Sequence, residues 1–321
     1  MARLALLAIL FLTKNLNKFM MMFNKRISFL NGKFIDHQKA FVHIEDRGFQ
    51  FGDGVYEVIL FHNDKIIDLK WHLDRLYRSL KEVKIDFFVS ETEIAGIILQ
   101  LFEKNKLKNG SAYLQVTRGQ AARNQAFPSD ITPTFIVSVC GLEQQSEQIL
   151  QKVINDNNEF NPSFAANYNV ITHPDLRWLR CDVKSVNLLA STMIRQKSRE
   201  MGAIDAILIR DDFITEATFS NVFIVDDNNS IITKDSDNFI LQGITRDRIL
   251  NLASQYNIKT VERKFSYQEL VSAKEIFLTG TVTLIRPVLM VDNKIIGDGR
   301  VGEMTKKIAS YYLDFLNPNL G

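Results

Sequence analysis

The chain has 321 residues, 46% hydrophobic and 24% charged, with a formal net charge of +2. A chain of this length buries enough surface to fold without staples and suits two domains of ordinary size, and the composition excludes wholesale disorder. The small net charge, without a dense Lys/Arg tract, argues against nucleic acid as a partner. Two cysteines, Cys140 and Cys181, and five scattered histidines offer neither a disulfide framework nor metal-ligand spacing.

In chain order, residues 4–12 form an apolar run after Arg3, shaped like a signal-peptide core but too short to span a bilayer as a helix. No small-x-small cleavage site follows it. Met20, Met21 and Met22 stand directly before the globular pattern, so residues 1–22 read as an over-extended start or a disordered arm. The expected location is the cytoplasm, with no membrane partner. Next, Asn31-Gly32 between apolar runs predicts a hairpin over 27–35. The turn Gly52-Asp-Gly54 leads into a strand over 55–61. Leu73, Leu76 and Leu80, then Ile94, Ile97, Ile98 and Leu101, recur at helical spacing. Residues 112–117 and 134–139 read as strands. These elements predict a small N-terminal α+β domain over 23–141.

Residues 142–169 are polar and read as an irregular interdomain connection, a tolerated surface insertion. A second, α/β domain is expected over 170–321. It holds strands at 206–210, 222–225, 275–278 and 288–291, and a helix from Thr245 that carries Ile249, Leu250 and Leu252.

Two stretches of this second domain carry chemistry. Residues 177–189 read Arg-Trp-Leu-Arg-Cys-Asp-Val-Lys-Ser-Val-Asn-Leu-Leu. A short strand is expected to end at Lys184, and a helix to begin with Asn187 as its cap. A lysine at such a corner points into a pocket, where desolvation makes its amine a nucleophile toward aldehydes. Read alone, most lysines are solvated surface charges. Glu216 stands between two apolar, strand-like runs, where a carboxylate is costly unless it meets a cation. That cation is either a structural partner or a pyridinium nitrogen.

The sequence resembles the class IV, fold-type IV, pyridoxal-phosphate transaminases, and within them the D-amino-acid transaminases, from about Ile27 to about Thr305. The motifs are Glu45-Asp-Arg-Gly-Phe-Gln-Phe-Gly-Asp-Gly-Val-Tyr-Glu57, His72-Leu-Asp-Arg-Leu-Tyr77, Gln115-Val-Thr-Arg-Gly119, the Lys184 run, Thr215-Glu216 with Ser220-Asn-Val-Phe223, and Gly243-Ile-Thr-Arg-Asp247. The resemblance implies a two-domain α/β fold with pyridoxal 5'-phosphate between the domains. It implies that Lys184 holds the cofactor covalently and acts as the general acid-base, and that Glu216 keeps the ring nitrogen protonated. Arg75, Gly243, Ile244, Thr245, Gly280 and Thr281 are then the phosphate site, with Leu241 against the ring. The same resemblance implies a homodimer, in which Tyr56 and Arg123, the latter crossing from the neighbouring subunit, clamp the substrate α-carboxylate. The family usually has a histidine two residues after this arginine; here it is Gln125. The implied substrates are D-alanine, D-glutamate, pyruvate and 2-oxoglutarate. The alternatives on the same fold are a 4-amino-4-deoxychorismate lyase and a branched-chain L-amino-acid transaminase.

Overall fold

A computed structural model describes residues 26–142, 146–156 and 165–318. The reading of residues 1–22 lies outside them. The first stretch runs β1 (Ile27–Leu30), β2 (Lys33–Asp36), α1 (Arg47–Phe51), β3 (Gly54–His62), β4 (Lys65–Ile66), α2 (Leu69–Glu82), α3 (Glu91–Lys104), β5 (Gly110–Thr117) and β6 (Thr134–Gly141). It continues with α4 (Ser146–Ile154), β7 (Asn169–Pro174), α5 (Leu189–Glu200), β8 (Asp205–Arg210), β9 (Phe213–Ala217), β10 (Asn221–Val225) and β11 (Ile231–Thr233). Then follow α6 (Ile244–Gln255), β12 (Thr260–Glu262), α7 (Tyr267–Val271), β13 (Glu275–Gly280), β14 (Leu284–Val288), β15 (Met290–Val291), β16 (Lys294–Ile295) and α8 (Glu303–Leu316).

The chain divides into two compact units: residues up to Leu69 together with Val83–Gly141, and Lys70–Glu82 together with the chain from Leu142 on. The first unit is built on a six-stranded sheet in the order β2-β1-β6-β5-β3-β4. Its opening hairpin pairs Leu30 with Lys33. Asn31 and Gly32 both take positive φ, 46° and 85°, as the two central residues of a tight primed turn require. Strand β5 alternates, burying Ala112, Leu114 and Val116, while β3 is buried along almost its whole length. Helix α3 turns Ile94, Ile98, Leu101 and Phe102 inward, and a Ser90–Glu93 capping box starts it. Each such side chain contributes about 1.5–3 kcal/mol on burial.

In the second unit, among the described residues, one five-stranded sheet runs β12-β11-β10-β13-β14 and another runs β16-β15-β7-β8-β9. Val170, Ile207 and Ile214 of one sheet share a core with Val222, Ile224, Ile276 and Leu278 of the other. Helix α5 lays Ile194 on Ile171, Ala206 and Leu208 of β7 and β8. By chain order α2 falls within the first stretch. By packing, its residues from Lys70 to Glu82 belong to the second unit.

Four sequence expectations need correcting. Residues 146–154, expected to be irregular, form α4: Leu150 and Val153 are buried and the helix packs on α8 and β14. The polar majority of its residues hid a helical apolar stripe. No strand ends at Lys184, because residues 175–188 form irregular chain. There the backbone N–H of Cys181 donates to Asn238 O (2.8 Å) and that of Lys184 to Ser79 Oγ (3.3 Å), not to a neighbouring strand. The cap position of α5 is Leu188, without a side-chain cap, and the Asn187 amide reaches Ser185 Oγ. Strand 288–291 is interrupted at Leu289, giving β14 and β15.

Candidate active site

Glu216 lies on its own strand, β9, not between strands, and is 5% exposed. Three donors converge on its carboxylate. The Arg177 guanidinium bonds to Oε1. The Leu241 N–H is shared between Oε1 (3.1 Å) and Oε2 (3.2 Å), and Asn221 Nδ2 donates to Oε2 at 3.1 Å. An ionised carboxylate offers about four lone-pair sites, and these three donors reach both oxygens, the Leu241 N–H being shared between them. Burial pushes the Glu216 carboxyl above the usual carboxylate range, and Arg177 and the Leu241 N–H pull it back part of the way.

Arg177 is the residue that sequence reasoning missed. It stands in the lysine run, but nothing in the sequence says that its side chain reaches 39 residues onward. Asp175 holds it from the other side, accepting from Nε at 2.9 Å and from Nη2 at 2.8 Å, and Phe239 O takes a further bond. Asp175 is itself wholly buried and also meets Arg210 (3.2 Å) and Thr215 Oγ1 (3.0 Å). These cations hold its carboxyl below the usual range despite burial. Of the two cation readings for Glu216, the structural partner is therefore present.

Asn221 ties this carboxylate to the expected phosphate site. Its Nδ2 also donates to Leu241 O at 2.8 Å. Its Oδ1 sits where a side chain on Gly243 would have to go: a Cβ there would lie 2.1 Å away. Gly243 is the N-cap position of α6 and makes no side-chain cap bond, so the first-turn N–H groups of Ile244 and Thr245 face outward at the positive end of the helix. Thr245 is the second residue of that helix, not its cap, and is buried. Arg75, only 7% exposed, donates from Nη1 to Gln242 O at 2.8 Å, just ahead of this terminus. Gly280 ends β13 beside Ser220 Oγ, the residue before Asn221. A glycine backbone, a helix N-terminus and a buried arginine are together groups that could hold a phosphate.

The lysine loop is fastened to α2, the helix that carries Arg75. Ser79, one turn on from Arg75, takes the Lys184 N–H, and Arg78 donates to Asp182 O at 2.6 Å. Arg180 bridges Glu82 (2.6 Å) and Asp182 (2.9 Å). Lys184, Glu216, Arg75, Leu241, Gly243, Ile244, Thr245, Gly280 and Thr281 thus all belong to the second unit.

Tyr56, Arg123 and Gln125 belong to the first. Tyr56 is buried on β3 and stacks on Tyr113 with centroids 5.6 Å apart. Burial and the nearby Tyr56 push the Tyr113 phenol up to about 12. Arg123 and Gln125 are exposed on one loop. Buried Arg47 holds that loop by donating to Gln125 O (3.3 Å) and Ala126 O (3.4 Å), while its Nε bonds Asp53 at 2.7 Å. Arg118 closes the same brace with two bonds to Asp53, at 2.8 and 3.0 Å. The motifs contained these arginines, but not the fact that they anchor a loop. Among the described residues, no cluster of His, Cys, Asp or Glu could hold a metal ion, and no helix is long and apolar enough to cross a membrane.

Comparison with known proteins agrees with this arrangement. The family model described as amino-transferase class IV matches residues 54–291. The D-alanine aminotransferase of Bacillus licheniformis is 39% identical over 278 residues, 87% of this chain and 93% of that one. Among solved structures, the Escherichia coli branched-chain amino acid aminotransferase superposes with a TM-score of 0.80 at 21% identity, covering 92% of this chain and 96% of that one. The T.th. branched-chain amino acid aminotransferase, complexed with N-(5'-phosphopyridoxyl)-L-glutamate, gives 0.78 at 21% identity, covering 92% and 95%. At these identities the two structures speak for the fold.

Proposed function

The chain belongs to the class IV aminotransferases, and we propose that within them it is a pyridoxal-phosphate-dependent D-amino-acid:2-oxo-acid transaminase. It exchanges the amino group between D-alanine or D-glutamate and pyruvate or 2-oxoglutarate, as a cytoplasmic homodimer. The observation that carries the chemistry is the buried Glu216 carboxylate, held by Arg177, Asn221 and the Leu241 N–H in the same unit as Lys184 and the N-terminus of α6. The choice of D-amino acids rests on the likeness to D-alanine aminotransferase over most of both chains. Domain limits of 23–141 and 170–321, joined by 142–169, are part of the same reading.

When bound, pyridoxal 5'-phosphate supplies the electron sink for the charge left on the substrate Cα as its proton departs. Glu216 would accept from the ring N–H and hold the proton on that nitrogen. An aspartate would be too short for this, and a glutamine would not hold the proton. Arg177 and Asn221 keep the carboxylate aimed and compensated. Lys184 would hold the cofactor covalently until the substrate's amino group takes its place, and the amine so released would carry the proton away from Cα. The Ile244 and Thr245 N–H groups, with Arg75, Gly280 and Thr281, bind the phosphate, and Leu241 lies against the ring. Tyr56 would hold the substrate α-carboxylate together with Arg123 of the partner subunit and Gln125 of the partner subunit.

Two experiments test this. Borohydride reduction of the coloured protein should fix the cofactor to the peptide containing Lys184; a label on another lysine, or on none, sinks the site. A chiral donor assay should favour D-alanine and D-glutamate. A preference for branched-chain L-amino acids, or release of pyruvate from 4-amino-4-deoxychorismate without an amino donor, would replace the proposed reaction by one of its two alternatives.

A further inference from the structure

Away from the Glu216–Lys184 site, α5 and β14 border an open cleft of about 390 Å3. Four of its lining residues, Thr192, Arg195, Gln196 and Arg199, recur at spacings of three and four along α5 and so share one helix face. Arg286 of β14 lines the cleft too, and the Phe219 ring is exposed beside it. Among the described residues, no carboxylate lines it. Arg195 is neutralised from within, pairing with buried Asp205 at 2.9 Å. The side chains of Arg199 and Arg286 make no hydrogen bond or ion pair with any described residue. Arg286 is nevertheless half-buried. Elsewhere in this unit, three buried or half-buried arginines are compensated by carboxylates: Arg177 by two, Arg246 by Asp247 and Glu262, Arg210 by Asp175.

Two uncompensated guanidiniums sharing one cleft repel each other and raise a local positive potential. Their planar forks match the oxygens of phosphate or carboxylate groups, and Thr192 and Gln196 add neutral donors on the same face. The cleft volume suits a small molecule, not a peptide or a nucleic acid strand. We propose that this cleft is a binding site for a small polyanion, one that bears linked phosphates or several carboxylates. None of the residues named above for substrate or cofactor lines the cleft, and the proposal does not rest on the transaminase reading.

The test is calorimetric titration of the cofactor-loaded protein with inorganic pyrophosphate and, separately, with citrate, at fixed ionic strength. The cofactor absorbance is followed to show that it stays in place. Saturable binding of one anion per chain is expected, weakened about tenfold or more by Arg199→Ala and by Arg286→Ala, since each removes a charged hydrogen bond. Arg286→Lys should recover part of the loss. Tighter pyrophosphate than citrate marks a phosphorylated ligand; the reverse order marks a polycarboxylate. Arg199 is exposed, so Arg199→Ala decides the matter even if Arg286→Ala unfolds the chain. The proposal is overturned by three results: no saturable binding of either anion, affinities within about twofold of the parent in Arg199→Ala, or loss of the dimer in place of loss of binding.

Discussion

Arg177→Met is the sharpest test of how the Glu216 site is held. The substitution keeps an apolar stem but removes the guanidinium from two buried carboxylates. Asp175 retains Arg210 and Thr215 and stays ionised. Glu216 keeps only Asn221 and the Leu241 N–H, both neutral donors. Breaking one side of a buried pair costs about 3–5 kcal/mol, and the arginine left to Asp175 puts this case near the lower end. The cost depends on pH in a defined direction. The Glu216 carboxyl is already pushed up by burial, and losing Arg177 pushes it further. A group whose folded pKa is raised contributes fully only below its unfolded pKa, where both states are protonated, and loses that contribution as pH rises through the folded value. The variant's deficit should therefore be smallest at acid pH, where Glu216 is protonated in both states, and grow as the pH is raised to mildly alkaline, by no more than about 1.4 kcal/mol per pH unit for a single group. Urea unfolding across this range measures it, and the same series in a Glu216→Gln background removes the titrating group. A deficit that does not change with pH, or one that keeps its slope without Glu216, would refute the reasoning.

Gly243→Ala should weaken cofactor retention with little change in the folded core, because its Cβ would meet Asn221 Oδ1 at 2.1 Å and shift the start of α6; equilibrium dialysis of the cofactor measures it, and parent-like retention would remove the argument for a phosphate site at the start of α6. Chains carrying Arg123→Ala mixed with chains carrying Lys184→Ala should regain activity in the hybrid dimer; none despite proven subunit exchange counts against a shared site. Arg123→Lys should nearly abolish D-amino-acid binding, because lysine loses the two-pronged fork. Gln125→His should tighten substrate about fivefold, mainly at lower pH where histidine is cationic; steady-state constants equal to the parent for both Gln125→His and Gln125→Ala would place Gln125 outside the clamp.

Much of this protein is legible in its amino-acid order. Local rules suffice for the Asn31-Gly32 hairpin, for strands β3, β5, β6, β8, β10 and β13, and for helices α2, α3 and α6. In each, the apolar period and the turn residues agree with the packing that follows. The motifs around Lys184 and Glu216 are likewise enough to place the chain among the class IV aminotransferases. What surrounds those residues was decided only in three dimensions. The Lys184 run reads as a strand, but its backbone is held by Ser79 and Asn238, partners far along the chain. Helix α4 is hidden because its stripe is short and its neighbours α8 and β14 come much later in sequence. Arg177 and Glu216, 39 residues apart, meet because burial of the carboxylate demands a cation, whereas Arg199 and Arg286 share a cleft without one. Periodicity along a chain encodes which face is buried, but not which buried charge finds which partner. That is fixed by long-range packing and by the cost of leaving a charge unpaired.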